Sequence, residues 1–164
     1  MPTLLETYNP SILAIPAYYI LSVIPHSYAI QLATNGKPLS WDNLNPRSST
    51  LKANLKKTLD AETYARYERA EACHANGMEN LPLFASAVIL GNMAGLKRDG
   101  IHGLSGFAGL FLAIRVAYTV VYLRTTTTGP TLLRSTLWAA GSTLCVRVML
   151  EAARALSNIT LVVA

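Results

Sequence analysis

The chain has 164 residues, of which 51% are apolar and 14% charged, with a net charge of +5 at neutral pH. The length suits one domain, 1–164, and the charged fraction lies well below the roughly 25% usual for soluble proteins. The Lys and Arg residues are dispersed along connectors and helix ends, with no basic stripe interleaved with aromatic residues, so no nucleic-acid partner is expected; the two cysteines, Cys73 and Cys145, imply no disulfide framework.

The first predicted helix runs from about Pro10 to Ala33. Nothing in it is ionised if His26 is neutral, and its apolar run reaches the roughly 20 residues that a bilayer requires. Pro10 suits a first turn, and the breaker run Asn35-Gly36-Lys37-Pro38 ends the helix. Pro16 and Pro25 lie inside, which predicts a kinked span. Met1–Thr7 carries no Lys or Arg, and the run behind it exceeds a signal-peptide core, so it reads as a retained span. A polar, basic connector follows over about 37–59, with Trp41, Arg47, Lys52, Lys56 and Lys57.

The second helix is expected over about 61–96, polar through Glu79 and apolar from Leu81. The third follows the Lys97-Arg98-Asp99-Gly100 turn, over about 101–124, and only Arg115 breaks its polarity. The fourth spans about 131–156, with a short apolar tail after it. The fold class is therefore an all-α, integral membrane four-helix bundle. Basic residues are concentrated between the first two helices, and the positive-inside rule puts that connector in the cytosol. The polar start of the second helix, the end of the third and the start of the fourth then share the cytosolic face.

Candidate chemistry concentrates at that face. Arg69, Cys73, Asn76 and Asn80 recur every three to four residues and share an inward-facing stripe. Arg115 shares another with Thr119 and Tyr122, and Tyr118 lies one turn before Tyr122. Arginine at a bilayer centre costs about 2.5–3.5 kcal/mol on insertion scales, so Arg115 is expected to face the bundle interior, with Glu79 as its ion-pair partner. Arg134 lies a turn before Trp138, and Arg147 and Glu151 are spaced for an end-of-helix pair. Cys73 lacks an activating base, because the adjacent His74 points elsewhere on a helix. No set of His, Cys or carboxylate ligands converges, and His26 and His102 fall near opposite membrane faces, so no metal is expected.

The run His74-Ala75-Asn76-Gly77-Met78-Glu79-Asn80-Leu81-Pro82 resembles the second-helix signature of the MAPEG family, membrane-associated proteins in eicosanoid and glutathione metabolism. Residues 111–123, then Arg134-Ser135 and Glu151-Ala152-Ala153-Arg154, look like its microsomal prostaglandin E synthase branch. The first helix corresponds in hydropathy and position. The resemblance implies a homotrimer, multi-pass in the endoplasmic reticulum, that binds glutathione between subunits near the cytosolic face and takes a lipophilic small molecule from the bilayer.

On matching positions, Asn76 and Glu79 would hold the glutathione backbone, with His74 and Arg115 in the same shell, and Tyr122 its cysteine portion. Arg134 would stabilise the thiolate, and Ser135 would hydrogen-bond sulfur or substrate. Tyr118 stands where that branch has histidine and is a further catalytic candidate. Ala72 stands where the family usually has a carboxylate-binding arginine, and Ala75 where some members have another; Arg69, one turn away, is the expected substitute. The function implied is that of a glutathione-dependent transferase, peroxidase or isomerase. Two alternatives are a glutathione-independent isomerase or cyclase that uses Tyr, Glu or His acid–base chemistry, and a non-catalytic lipid-binding scaffold.

Overall fold

A computed structural model describes the backbone of residues 8–163 and the side chains of residues 8–158. The Met1–Thr7 reading lies outside the described residues. Five helices follow in chain order: α1 (Pro10–Ala33), α2 (Ser49–Thr58), α3 (Ala61–Met93), α4 (Leu104–Arg124) and α5 (Gly129–Val163), with a short 3₁₀ turn at Pro38–Ser40.

Each start has a local cause. Asn9 caps α1 by accepting from the Ser11 amide at 3.1 Å, with Pro10 in the first turn. Asp60 caps α3 by accepting from Thr63 N–H at 2.9 Å. α3 ends through Gly95 at φ +65°, in the left-handed region that favours glycine. Leu104 N–H then bonds Lys97 O at 2.9 Å and launches α4 three residues later than expected.

Two other boundaries differ from expectation. The connector contains α2, because Ser48 caps it through Leu51 N–H at 3.1 Å. Leu51, Leu55 and Leu59 then pack beside Ala29, Tyr67 and Ala70. A single apolar stripe of three turns is too short to stand out from a basic loop. The tail after Leu156 is also helical, since no proline or glycine stops α5 before Val163.

The helices pack around an aromatic centre. Phe84 of α3 stacks on Phe111 of α4 at 4.1 Å, and Tyr18 of α1 meets both rings edge-on at 5.6 and 5.0 Å. α1 and α3 approach closely at Gly77, where an added Cβ would stand 2.8 Å from Ser22 Cβ. At the far end Asn9 Nδ2 donates to Asn92 Oδ1 at 2.7 Å, and Asn92 Nδ2 donates to Ser11 Oγ at 3.1 Å, which ties the two helices in register.

Among the described residues, α1 and α4 are long and apolar enough to cross a membrane. α3 and α5, of 33 and 35 residues, would reach about 50 Å at 1.5 Å per residue, beyond a hydrocarbon core of about 30 Å. The polar half of α3, the end of α4 and the start of α5 therefore gather at one end of the bundle.

Candidate functional site

At that end lies an open cleft of about 250 Å³, lined by Asn76, Tyr118, Tyr122, Arg134, Ser135 and Trp138. Three helices contribute. Asn76 sits midway along α3, Tyr118 and Tyr122 are successive turns of α4, and Arg134, Ser135 and Trp138 come from the first turns of α5. The Arg134 guanidinium lies over the Tyr122 ring at 4.4 Å, and Tyr122 meets Tyr118 edge-on at 5.5 Å. This stacking holds the cation at the mouth of the cleft without neutralising it.

Arg115 lies behind these residues, only 2% exposed. Its Nη2 donates to Asn76 Oδ1 at 3.0 Å, and its guanidinium lies between Tyr118 at 4.4 Å and Tyr18 at 5.4 Å. Its Nε is buried without a hydrogen-bond partner. A guanidinium can only donate, so the Asn76 atom facing it is the amide oxygen, and the amide N–H₂ is left for other partners.

Among the described residues three ion pairs form, and neither Arg115 nor Arg134 belongs to one. The expected Glu79–Arg115 pair is not made. Three residues past Asn76 set Glu79 about 60° round the helix, off the line that meets Arg115, and its side chain is exposed. Arg147 and Glu151 do pair, at 2.8 Å.

Of the sequence candidates, the fold thus unites Asn76, Tyr118, Tyr122, Arg134 and Ser135, with Arg115 behind them. Arg69 sits on the same face of α3, partly buried, with an unpartnered Nε, but outside the cleft lining. His74 and Glu79 line a separate cavity on another side of α3. There His74 Nδ1 approaches Ser22 O at 2.8 Å, and the His74 ring stacks on His26 at 4.9 Å. His26 Nδ1 is 2.7 Å from Glu71 Oε1.

Sequence reading did not anticipate that pairing, which joins residues 45 positions apart. It also passed over Tyr18, whose hydroxyl donates to Gly77 O at 3.1 Å beside the Arg115 guanidinium. A tyrosine in an apolar run carries no signal of such a role. Cys73 and Cys145 are free, buried thiols on different helices. Among the described residues no group of His, Cys, Asp or Glu side chains converges as metal ligands would.

A sequence model of the MAPEG family matches residues 10–154. The match runs from the start of α1 into α5, so it includes the helix that resembled the family only in hydropathy and position. No curated protein and no solved structure matches the chain.

Proposed function

Because the chain belongs to the MAPEG family, and so to the glutathione-related membrane enzymes of lipophilic metabolism, we propose that it is a glutathione-dependent transferase, peroxidase or isomerase whose site is the Asn76–Arg134 cleft. The observation that carries this reading is the pair of uncompensated guanidinium groups, Arg115 behind the cleft and Arg134 at its mouth. A buried cation without a carboxylate is costly, so a site that keeps one is built to receive negative charge.

The residues present fit glutathione. Arg134 would hold the sulfur as thiolate, since a neighbouring guanidinium lowers a thiol pKa from its usual value of about 8.5. Ser135 is placed to hydrogen-bond the sulfur or the substrate oxygen, and Tyr122, under Arg134, to contact the cysteine portion. Asn76 offers its amide N–H₂ to a peptide carbonyl, while Arg115 fixes the direction of that amide. Arg69 takes the carboxylate role that Ala72 and Ala75 cannot fill. When bound, glutathione supplies a thiolate nucleophile that attacks an electrophilic carbon or a peroxide oxygen.

The cleft is open in one subunit, and we assign its closure to a neighbouring copy in a homotrimer, the arrangement that brings Glu79 and His74 back towards the ligand. Residues 111–123 with Arg134-Ser135 favour the prostaglandin E synthase-like branch, with Tyr118 in place of histidine as the departure. The charge distribution favours an orientation with the α2 segment cytosolic, and the family resemblance favours the endoplasmic reticulum as the membrane.

Titration of the purified full chain with glutathione tests the reading. Millimolar glutathione raises the melting temperature, as expected for a ligand that binds only the folded state. Folded protein whose melting temperature is unmoved by glutathione, and whose turnover needs no thiol, would sink it.

A further inference from the structure

A third cavity, of about 360 Å³, lies at the end of the bundle opposite the cleft, between the turn after α3, the start of α4 and the middle of α5. None of its lining residues belongs to the Asn76–Arg134 cleft or carries a role in the glutathione reading. Leu104 begins α4, and Tyr118 of the cleft lies about 20 Å further along that helix at 1.5 Å per residue.

The turn is fixed by its own backbone. Leu104 N–H bonds Lys97 O and Ser105 N–H bonds Arg98 O, each at 2.9 Å. Gly103 and Gly106 permit this approach, since a Cβ on Gly103 would stand 2.6 Å from Asp99 O, and one on Gly106 would be closer still to Ile101 O. Lys97 and His102 are thereby set at the cavity with Arg147 and Glu151 of α5. Arg147 meets Glu151 through Nε at 2.8 Å, which leaves the terminal N–H groups of its planar fork for a ligand. Among the described residues Lys97 forms no ion pair. Two permanent cations therefore share one carboxylate, and the positive end of the α4 dipole, whose cap residue Gly103 has no side chain to accept from it, lies beside them. The polar end of the cavity favours an anion.

The remaining wall is apolar, formed by Leu96, Leu104, Phe107, Leu110, Leu144 and Val148. Leu110 lies deeper along α4 and is 53% exposed, on a helix long and apolar enough to cross a membrane. The cavity thus runs from a cationic end at one membrane face to an apolar wall open to acyl chains.

We infer that this cavity holds an anionic phospholipid of the leaflet opposite the cytosolic connector, with its phosphate at Lys97, His102 and Arg147 and one acyl chain along Leu104, Phe107, Leu110 and Leu144. The Arg147 fork suits two phosphate oxygens, and Glu151 fixes its direction. A soluble anion gains nothing from the apolar wall, and a zwitterionic lipid brings its own cation against Lys97. The volume lies within the range of small-molecule pockets, about 300–1,000 Å³. The lipid ties the turn to α5 and does not reach the cleft.

The test follows the melting temperature of the full chain in detergent micelles against dioctanoyl phosphatidylglycerol. Dioctanoyl phosphatidylcholine is the control without net charge, and glycerol phosphate the control without chains. Stabilisation by phosphatidylglycerol and by neither control is expected. The K97Q/R147Q double variant should melt close to wild type without added lipid, yet need at least about tenfold more phosphatidylglycerol for the same shift, because it loses charge-assisted contacts. The K56Q/K57Q variant removes as much charge from exposed positions of α2 and should respond as wild type does. No shift with phosphatidylglycerol on folded wild type, an equal shift with glycerol phosphate or phosphatidylcholine, or an effect unchanged in K97Q/R147Q would overturn the proposal. So would an equal loss in K56Q/K57Q, which would mark a general response to charge.

Discussion

The two sides of α3 handle charge in opposite ways. Towards α4 and α5, cations are buried or stacked on aromatic rings with no carboxylate to meet them, as with Arg115 and Arg134. Towards α1 and the connector, carboxylates, imidazoles and cations are all present, and among the described residues there only His26 and Glu71 pair. One helix thus presents an unbalanced positive cleft and a balanced cavity of separated charges. The difference arises from a few residues of rotation between Asn76 and His74.

The largest effect that separates the two sides is expected from Arg134→Ala. Loss of an electrostatic donor at a reacting centre costs about 10²–10³ in rate, so glutathione-dependent turnover should fall by about that factor while the melting temperature of the ligand-free protein is kept. A variant that also melts well below wild type would break the comparison.

Next is Gly77→Ala, which acts on the frame shared by both sites. Its Cβ would stand 2.8 Å from Ser22 Cβ and Oγ, an overpacking that costs about 1–3 kcal/mol. A lower melting temperature, partly restored by adding Ser22→Gly, is the expected result; full stability in G77A would show that the helices part easily.

Arg115→Met sharpens the contrast further. Replacing a buried ionic group by an apolar one of similar shape is often neutral or stabilising. The variant should therefore melt no lower than wild type yet gain less stability from glutathione, a pair of opposite signs read in one titration series.

The smallest effect concerns the start of α3, which both sides share. The Thr63 amide holds the Asp60 carboxyl below its ordinary value of 3.8. For a depressed carboxylate the contribution to stability is complete above that ordinary value and is lost as pH falls through the lower folded value. A small acid-side drop in melting temperature, absent in Asp60→Asn, checks it.

Much of the architecture was legible in the residues. The uncharged run from Pro10, the breakers after Ala33, and the Lys97-Arg98-Asp99-Gly100 turn mark helices by local rules that need no partner, although the second long helix stops at Met93 and not at about 96. The inward turn of Arg115 was legible for the same kind of reason, since lipid offers a guanidinium nothing. α2 was missed because three leucines among lysines are a weak stripe, and its apolar face is recognisable only beside Ala29 and Tyr67.

The sequence by itself determined the course of the four long helices, which of their residues share a face, and that the polar groups cluster at one end. Only the tertiary structure decided that Arg115 meets Asn76 and not Glu79, that Glu71 holds His26, and that His74 is locked to Ser22 from 52 positions away. The 3.6-residue period fixes neighbours along one helix. Which face meets which helix depends on how Gly77 and the stacked Phe84 and Phe111 let the helices approach, and that is a property of packing in three dimensions.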